Sequence, residues 1–141
     1  METGKRKSVD LLVEQFWKQG YMTLSRKYGT YLPEPSRVGD FEVDIIARQK
    51  RNYAIGITLD DAELNDPSLI SKLTFLATRQ TKSSNKKVLL FIGVPMELMK
   101  NARVLLEILD PEVRKNIKLS PIAEKQIVSS RRKRKEKVLF S

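Results

Sequence analysis

The chain has 141 residues, 40% of them hydrophobic and 31% charged, a balance that suits one folded domain with its own core and argues against global disorder. It contains no Cys and no His, which excludes disulfides, thiolate zinc sites, thiol catalysis, imidazole acid–base chemistry and Ser-His-Asp triads. Lys and Arg number 27 against 17 Asp and Glu, a formal net charge of +10 that points toward phosphate-bearing partners.

The first predicted element is a helix from Ser8 to Gly20. Val9, Leu12, Val13, Phe16 and Trp17 recur at i, i+3, i+4, i+7 and i+8, which is one helical face, so Phe16 and Trp17 are both expected in the core. Ser8 is the expected N-cap and Gly20 the expected C′ residue, with Glu14 and Lys18 an i,i+4 pair on the polar side. Tyr21 to Ser25 reads as a short strand. Residues 26–39 form a long connection in which Pro33 and Pro35 forbid helix. This connection carries Tyr28 and Tyr31 among the bases Arg26, Lys27 and Arg37, a mixture that suits either ligand contact or an arm over a sheet edge. The tyrosines are expected to pack on the sheet rim, with stacking on nucleobases as the alternative.

Phe41 to Arg48 is a strand by its branched residues, Gln49 to Asn52 a turn, and Tyr53 to Leu59 the returning strand of a hairpin. Asp66-Pro67 supplies an N-cap and a Pro at N1 for a helix to about Gln80, with Leu69, Ile70, Leu73, Leu76 and Ala77 as its buried stripe. Thr81 to Lys86 is a polar loop. Val88 to Val94 is a nearly continuous apolar run, as expected of a central strand covered on both faces. Met96 to Leu109 is a second amphipathic helix with Leu98, Ala102, Leu105, Leu106 and Leu109 periodic, and Met96 and Met99 are expected as core filler. Pro111 to Lys115 is a turn and Ile117 to Leu119 a short last strand. The expected order is α-β-β-β-α-β-α-β. Antiparallel strands followed by strand–helix–strand crossovers give an α/β class, bordering on α+β, with a mixed central sheet and helices on both faces.

The domain is expected to span residues 1–120, followed by a basic tail over 121–141. Arg131, Arg132, Lys133, Arg134, Lys135 and Lys137 stand there against Glu136 alone and carry half of the net charge. Such a block releases counterions from a phosphate backbone, or it is a solvated tail. No apolar run approaches the ~20 residues that span a bilayer. Residues 1–7 lack the apolar stretch of a signal peptide. The expected location is therefore cytoplasmic, without a membrane partner.

The element order, a helix ending in Lys-Gln-Gly-Tyr, and the run Val38-Gly-Asp-Phe-Glu-Val-Asp44-Ile-Ile-Ala-Arg before a second strand resemble the PD-(D/E)XK nuclease superfamily. That superfamily includes restriction endonucleases and archaeal Holliday junction resolvases. The resemblance implies a restriction-endonuclease-like fold over Ser8 to Leu119. It implies a site in which two strand-borne acids bind Mg²⁺ or Mn²⁺ and a Lys two residues after the second acid assists the attacking water. Asp44 matches the first acid, and Asp10 or Glu14 could supply the acid that often comes from the first helix. The second acid falls on Gly56 and the lysine on Thr58, so the ordinary site is expected to be lost. A rebuilt metal site would use Asp44, Asp60 and Glu42, with Lys50 or Lys72 as the cation. Against it, Asp60, Asp61 and Glu63 suit a helix N-terminus, where negative charge is favourable. Asp44, between Val43 and Ile45, needs a partner such as Arg48 or a backbone N–H, and a structural ion pair is the alternative to a metal ligand.

The sequence therefore supports a nucleic-acid-binding protein, DNA first, with a nuclease-like fold and no cutting activity. No cofactor is expected. The tail bases, then Arg26, Lys27 and Arg37, then Lys50 and Arg51, are the expected phosphate contacts. The alternatives are an active Mg²⁺- or Mn²⁺-dependent endonuclease with rearranged carboxylates, and a non-catalytic protein-interaction subunit. A homodimer through the Ile117–Leu119 edge is compatible with each.

Overall fold

A computed structural model describes residues 2–82 and 85–122 of the chain; the tail bases from Arg131 to Lys137 lie outside the described residues. Helix α1 (Glu2–Lys18) starts well before Ser8, whose hydroxyl donates back to Gly4 O at 3.1 Å instead of capping. Gly20 does end the helix as expected. Its φ of +86° lets Gly20 N–H donate to Trp17 O at 3.0 Å and Tyr21 N–H to Phe16 O at 2.9 Å. These two bonds are the Schellman pair, and the rings of Phe16 and Tyr21 pack edge-on over it, 5.6 Å apart. Val9, Leu12 and Phe16 are fully buried, but Trp17 is 75% exposed. The buried face is the 4-3-4 spacing Lys5-Val9-Leu12-Phe16, and Trp17 falls about 100° round the helix from Phe16.

The strands β1 (Met22–Arg26), β2 (Ile45–Gln49), β3 (Asn52–Thr58), β4 (Leu89–Pro95) and β5 (Ile117–Ile122) form one sheet in the order β1-β2-β3-β4-β5. The first three are antiparallel neighbours, and β3-β4 and β4-β5 are parallel. The class is α/β with a five-stranded mixed sheet, as expected. Strand β2 is shorter than the run Phe41 to Arg48. Phe41 instead closes a tight turn with Val38 through two backbone hydrogen bonds of 2.9 and 3.1 Å. Gly39 turns that corner at φ +62°, beneath the ring of Phe75.

Between β3 and β4 lie α2 (Asp61–Leu64), absent from the sequence reading, and α3 (Leu69–Ala77). Ser68, and not Asp66, stands at the N-cap of α3, Pro67 lies before the helix, and the helix ends at Ala77, short of Gln80; the Asp66 carboxylate accepts from the N–H and hydroxyl of Ser68 at 2.9 and 2.8 Å in the turn that leads into it. These bonds, the backbone one first, lower the Asp66 pKa. After β4 come a 3₁₀ turn (Met96–Leu98), α4 (Met99–Ile108) and α5 (Pro111–Arg114). Met96 is 40% exposed and so is not core filler.

Strand alternation sends Ile55, Ile57, Leu90, Ile92 and Val94 to one face, where they pack with Leu69, Leu73, Leu76 and Ala102 of α3 and α4. The other face presents Ala47, Ala54 and Phe91 to Val9, Leu12 and Phe16 of α1. Helices thus cover both faces, and each large side chain buried this way contributes about 1.5–3 kcal/mol. Gly56 is what lets α1 approach so closely, and Gly93 makes room for Ile122 of β5. A Cβ on Gly56 would lie 2.7 Å from the Phe16 ring and 3.2 Å from Leu12, and one on Gly93 would lie 2.6 Å from Ile122.

Candidate functional site

The site forms where α1 begins, β2 begins and β3 ends. Strand pairing places Ile45 opposite Gly56, so Asp44, one residue before Ile45, stands beside the last residues of β3. Asp44 is only 5% exposed. Its N–H donates to Gly56 O at 2.9 Å and its carbonyl accepts from Lys27 N–H at 2.9 Å, which fixes the backbone on both sides. Its Oδ2 accepts from Thr58 N–H at 2.8 Å and from the Thr58 hydroxyl at 3.0 Å.

Two ammonium groups complete the shell. Lys5 Nζ lies 3.5 Å from Asp44 Oδ2, donates to Thr58 O at 2.7 Å and stands 3.6 Å from Glu63 Oε1. Lys27 Nζ lies 3.9 Å from Asp44 Oδ1 and donates to Glu42 Oε1 at 2.7 Å. Burial alone would push the Lys27 pKa down. The hydrogen bond to Glu42 and the charges of Asp44 and Glu42 outweigh it, and the pKa is raised. Glu42 is held below the usual carboxylate range by its hydrogen bond to Lys27, then by the charges of Lys27 and Arg37. A buried carboxylate needs such pairing, because uncompensated burial of a charge is expensive.

The side chain facing Asp44 is Thr58. Gly56 lies two residues deeper, under Phe16 and Leu12, so the position opposite the first acid is Thr58 and the one two residues on is Asp60. In neither alignment does a Glu-x-Lys pair result. Asp60 is also spent elsewhere. It caps α2 with a reciprocal box, its Oδ1 accepting from Glu63 N–H at 2.8 Å and its own N–H donating to Glu63 Oε1 at 3.1 Å. Glu42 does come near Asp44, but the two share Lys27 between them. Glu14 sits nine residues along α1 from Lys5, about 13 Å at 1.5 Å per residue, and is exposed. Asp10 is ion-paired to Arg26. Among the described residues no group of three or more acids is placed to hold a metal ion. The oxygens around Lys5 come from Asp44, Thr58 and Glu63, and the Lys5 and Lys27 ammonium groups already stand among them, an arrangement that does not fit a divalent metal.

The cation beside Asp44 is neither Lys50 nor Lys72, and Arg48 is not its partner. Lys5 precedes Ser8, where the sequence pattern starts the helix, and so falls outside the predicted element. Its position one turn before Val9 on the buried stripe is the signal that could have found it. The loop bases expected to meet phosphate are engaged internally: Arg26 with Asp10, Lys27 with Glu42 and Asp44, and Arg37 with Glu42 at 3.6 Å. Tyr28 adopts φ +61° with the Arg6 guanidinium 5.8 Å from its ring centre, and Tyr31 is 96% exposed instead of packed on the sheet rim. Lys50 and Arg51 occupy the β2–β3 turn at the opposite end of the sheet, Lys50 with φ +56°. No helix among the described residues is long and apolar enough to cross a membrane. The chain matches no family model, no curated protein and no solved structure.

Proposed function

We propose that the chain is a nucleic-acid-binding domain with a nuclease-like, PD-(D/E)XK-type fold that no longer cuts its ligand. The observation that carries this reading is the Lys5 ammonium among Asp44 Oδ2, Thr58 O and Glu63 Oε1. A nuclease of this type needs a divalent cation among such oxygens, and here a tethered monovalent one stands among them. The helix–β1–β2–β3–helix–β4 order with an acid at the entrance of β2 supports the resemblance. The net charge of +10 supports an anionic polymer as ligand.

The test pairs two measurements on the full chain. Labelled DNA is titrated across a salt series, and the same DNA is incubated with Mg²⁺ or Mn²⁺. Binding with a steep salt dependence and no cleavage is expected. Metal-dependent cleavage that disappears in Asp44→Ala would instead establish the rearranged endonuclease. A protein-interaction role draws on Val104 and Ile108, one turn apart on α4 and 62% and 68% exposed. It predicts self-association or a partner whose affinity ignores salt.

A further inference from the structure

The two ends of the sheet treat their bases differently. At the Asp44 end, Lys5, Arg26, Lys27 and Arg37 are each ion-paired. At the other end, Lys18, Arg48, Lys50, Arg51, Lys86 and Lys87 are exposed, and among the described residues none of them is in an ion pair. The sequence keeps acids away from the segments that build this end. Residues 48–53 and 79–87 contain seven bases and no Asp or Glu, and Glu112 of α5 lies within reach of the Lys87 charge.

Topology brings these bases together. Gln49 pairs with Asn52 and closes the hairpin around Lys50 and Arg51. Ala54 pairs with Leu89 in the parallel ladder, so Lys87 arrives level with Asn52, one strand spacing of about 4.8 Å away. The Gln49 side-chain amide donates to Gln19 O at 3.2 Å, which sets the last turn of α1 beside the hairpin. That turn carries Lys18 and the 75% exposed Trp17. A large indole left in water beside unpaired cations is the combination that holds an unpaired nucleotide chain. The cations neutralise phosphates and the ring offers a face to a base. Duplex DNA keeps its base faces stacked inside and has little use for that ring.

We propose that this end of the sheet, with Trp17 as a stacking platform and Lys18, Arg48, Lys50, Arg51, Lys86 and Lys87 as phosphate contacts, is a docking surface for single-stranded nucleic acid. The assignment rests on the nucleic-acid reading above and gives it a location away from Asp44. Trp17 is the single tryptophan of the chain, so it reports its own contact.

The experiment titrates the full chain with a fluorescein-labelled oligothymidylate of twenty nucleotides and with a duplex of equal length. Anisotropy and Trp17 emission are followed together. Single-strand binding with quenched Trp17 emission is expected. Lys50→Ala/Arg51→Ala should flatten the log–log salt slope by about 1.4, since each single-strand phosphate contact carries roughly 0.7. Trp17→Ala should weaken binding about fivefold to a hundredfold or more, and Trp17→Phe should restore much of it. These positions are exposed, so folding is not at stake, and circular dichroism of the variants verifies it. Oligonucleotide binding with unchanged Trp17 emission and unaltered affinity in the variants overturns the surface while leaving the nucleic-acid reading intact. Preference for the duplex overturns the single-strand assignment. Absence of binding to single strand, duplex and the RNA equivalents at low salt overturns both.

Discussion

Lys5 reaches Asp44 from the first turns of α1, and the two charged groups close the gap between that helix and the hairpin, Nζ to Oδ2 3.5 Å. Lys5 closes the first turn of a helix whose N-terminal dipole disfavours positive charge. The Asp44 carboxylate and Thr58 O therefore supply what local electrostatics withholds. The mutual dependence is measurable. Asp44→Ala leaves two ammonium groups facing a buried site and should cost about 3–5 kcal/mol. Lys5→Met should cost about 1–3 kcal/mol, since Thr58 and Lys27 still serve the carboxylate. The double variant should lose less than the sum, with a coupling of about 0.5–3 kcal/mol in urea titrations. Strict additivity would mean that the two groups do not interact in solution.

Gly56 gives a second prediction, about packing. Gly56→Ala pushes a methyl toward the fully buried Phe16 ring, Leu12 and Ile45. Overpacking of this kind costs about 1–3 kcal/mol. Gly56→Glu, which restores the residue type expected from the nuclease pattern, should prevent α1 from docking. Thermal melts by circular dichroism would read both. A Gly56→Glu variant as stable as the parent would show that α1 does not seat on β3 at this point.

These two sites mark what the sequence could and could not disclose. The apolar run at β4, the hairpin around residues 50 and 51, and Gly20 as helix terminator were legible, because each rests on local periodicity or on one backbone requirement. That Asp60 lies near a helix N-terminus was legible as the alternative to a metal site, but α2, the helix it caps, was not. The partner of Asp44 was not, because Lys5 lies 39 residues away in the chain and the contact depends on how α1 crosses the sheet. Trp17 was misplaced for a related reason. A periodic count admits a stripe two residues wide at Phe16 and Trp17, but the close approach allowed by Gly56 narrows the contact to Phe16. Likewise, the charge of Arg26, Lys27 and Arg37 was visible, and their neutralisation by Asp10, Glu42 and Asp44 was not.

The Lys27–Glu42 pair predicts a pH dependence. Glu42 has a folded pKa below its ordinary 4.5, so its contribution to stability is present above that value and is lost as pH falls through the lowered folded pKa. Lys27 has a folded pKa above its ordinary 10.5, so its contribution is present below 10.5 and is lost as pH rises through the raised one. The pair thus works across the neutral range. Glu42→Gln should be less stable than the parent at pH 7, and the two should converge as pH falls through the lowered Glu42 pKa. The gap at pH 7 should also narrow in 1 M salt, since Glu42 is exposed to solvent. Equal stability of the two proteins at pH 7 in dilute buffer would remove the pair from the account.

Removing the tethered cation tests whether the oxygens around it still suit a hard ion. Lys5→Ala leaves Asp44 Oδ2, Thr58 O and Glu63 Oε1 converging on the space that the ammonium held. Adding Thr58→Asp places a third carboxylate beside those of Asp44 and Glu63, and negatively charged oxygen donors are what Mg²⁺ and Mn²⁺ select. The parent protein should melt at the same temperature with or without 10 mM of either ion. The Lys5→Ala/Thr58→Asp variant should be less stable without metal and should gain several degrees with it, because a ligand bound only by the folded state stabilises by mass action. Ca²⁺ and high NaCl serve as controls for charge screening. A metal-induced shift in the parent as large as in the variant would place a divalent ion in the native site beside Lys5 and overturn the reading of that lysine as its replacement. No shift in either protein would mean that the three oxygens are held by Lys5 and do not form a cation site without it.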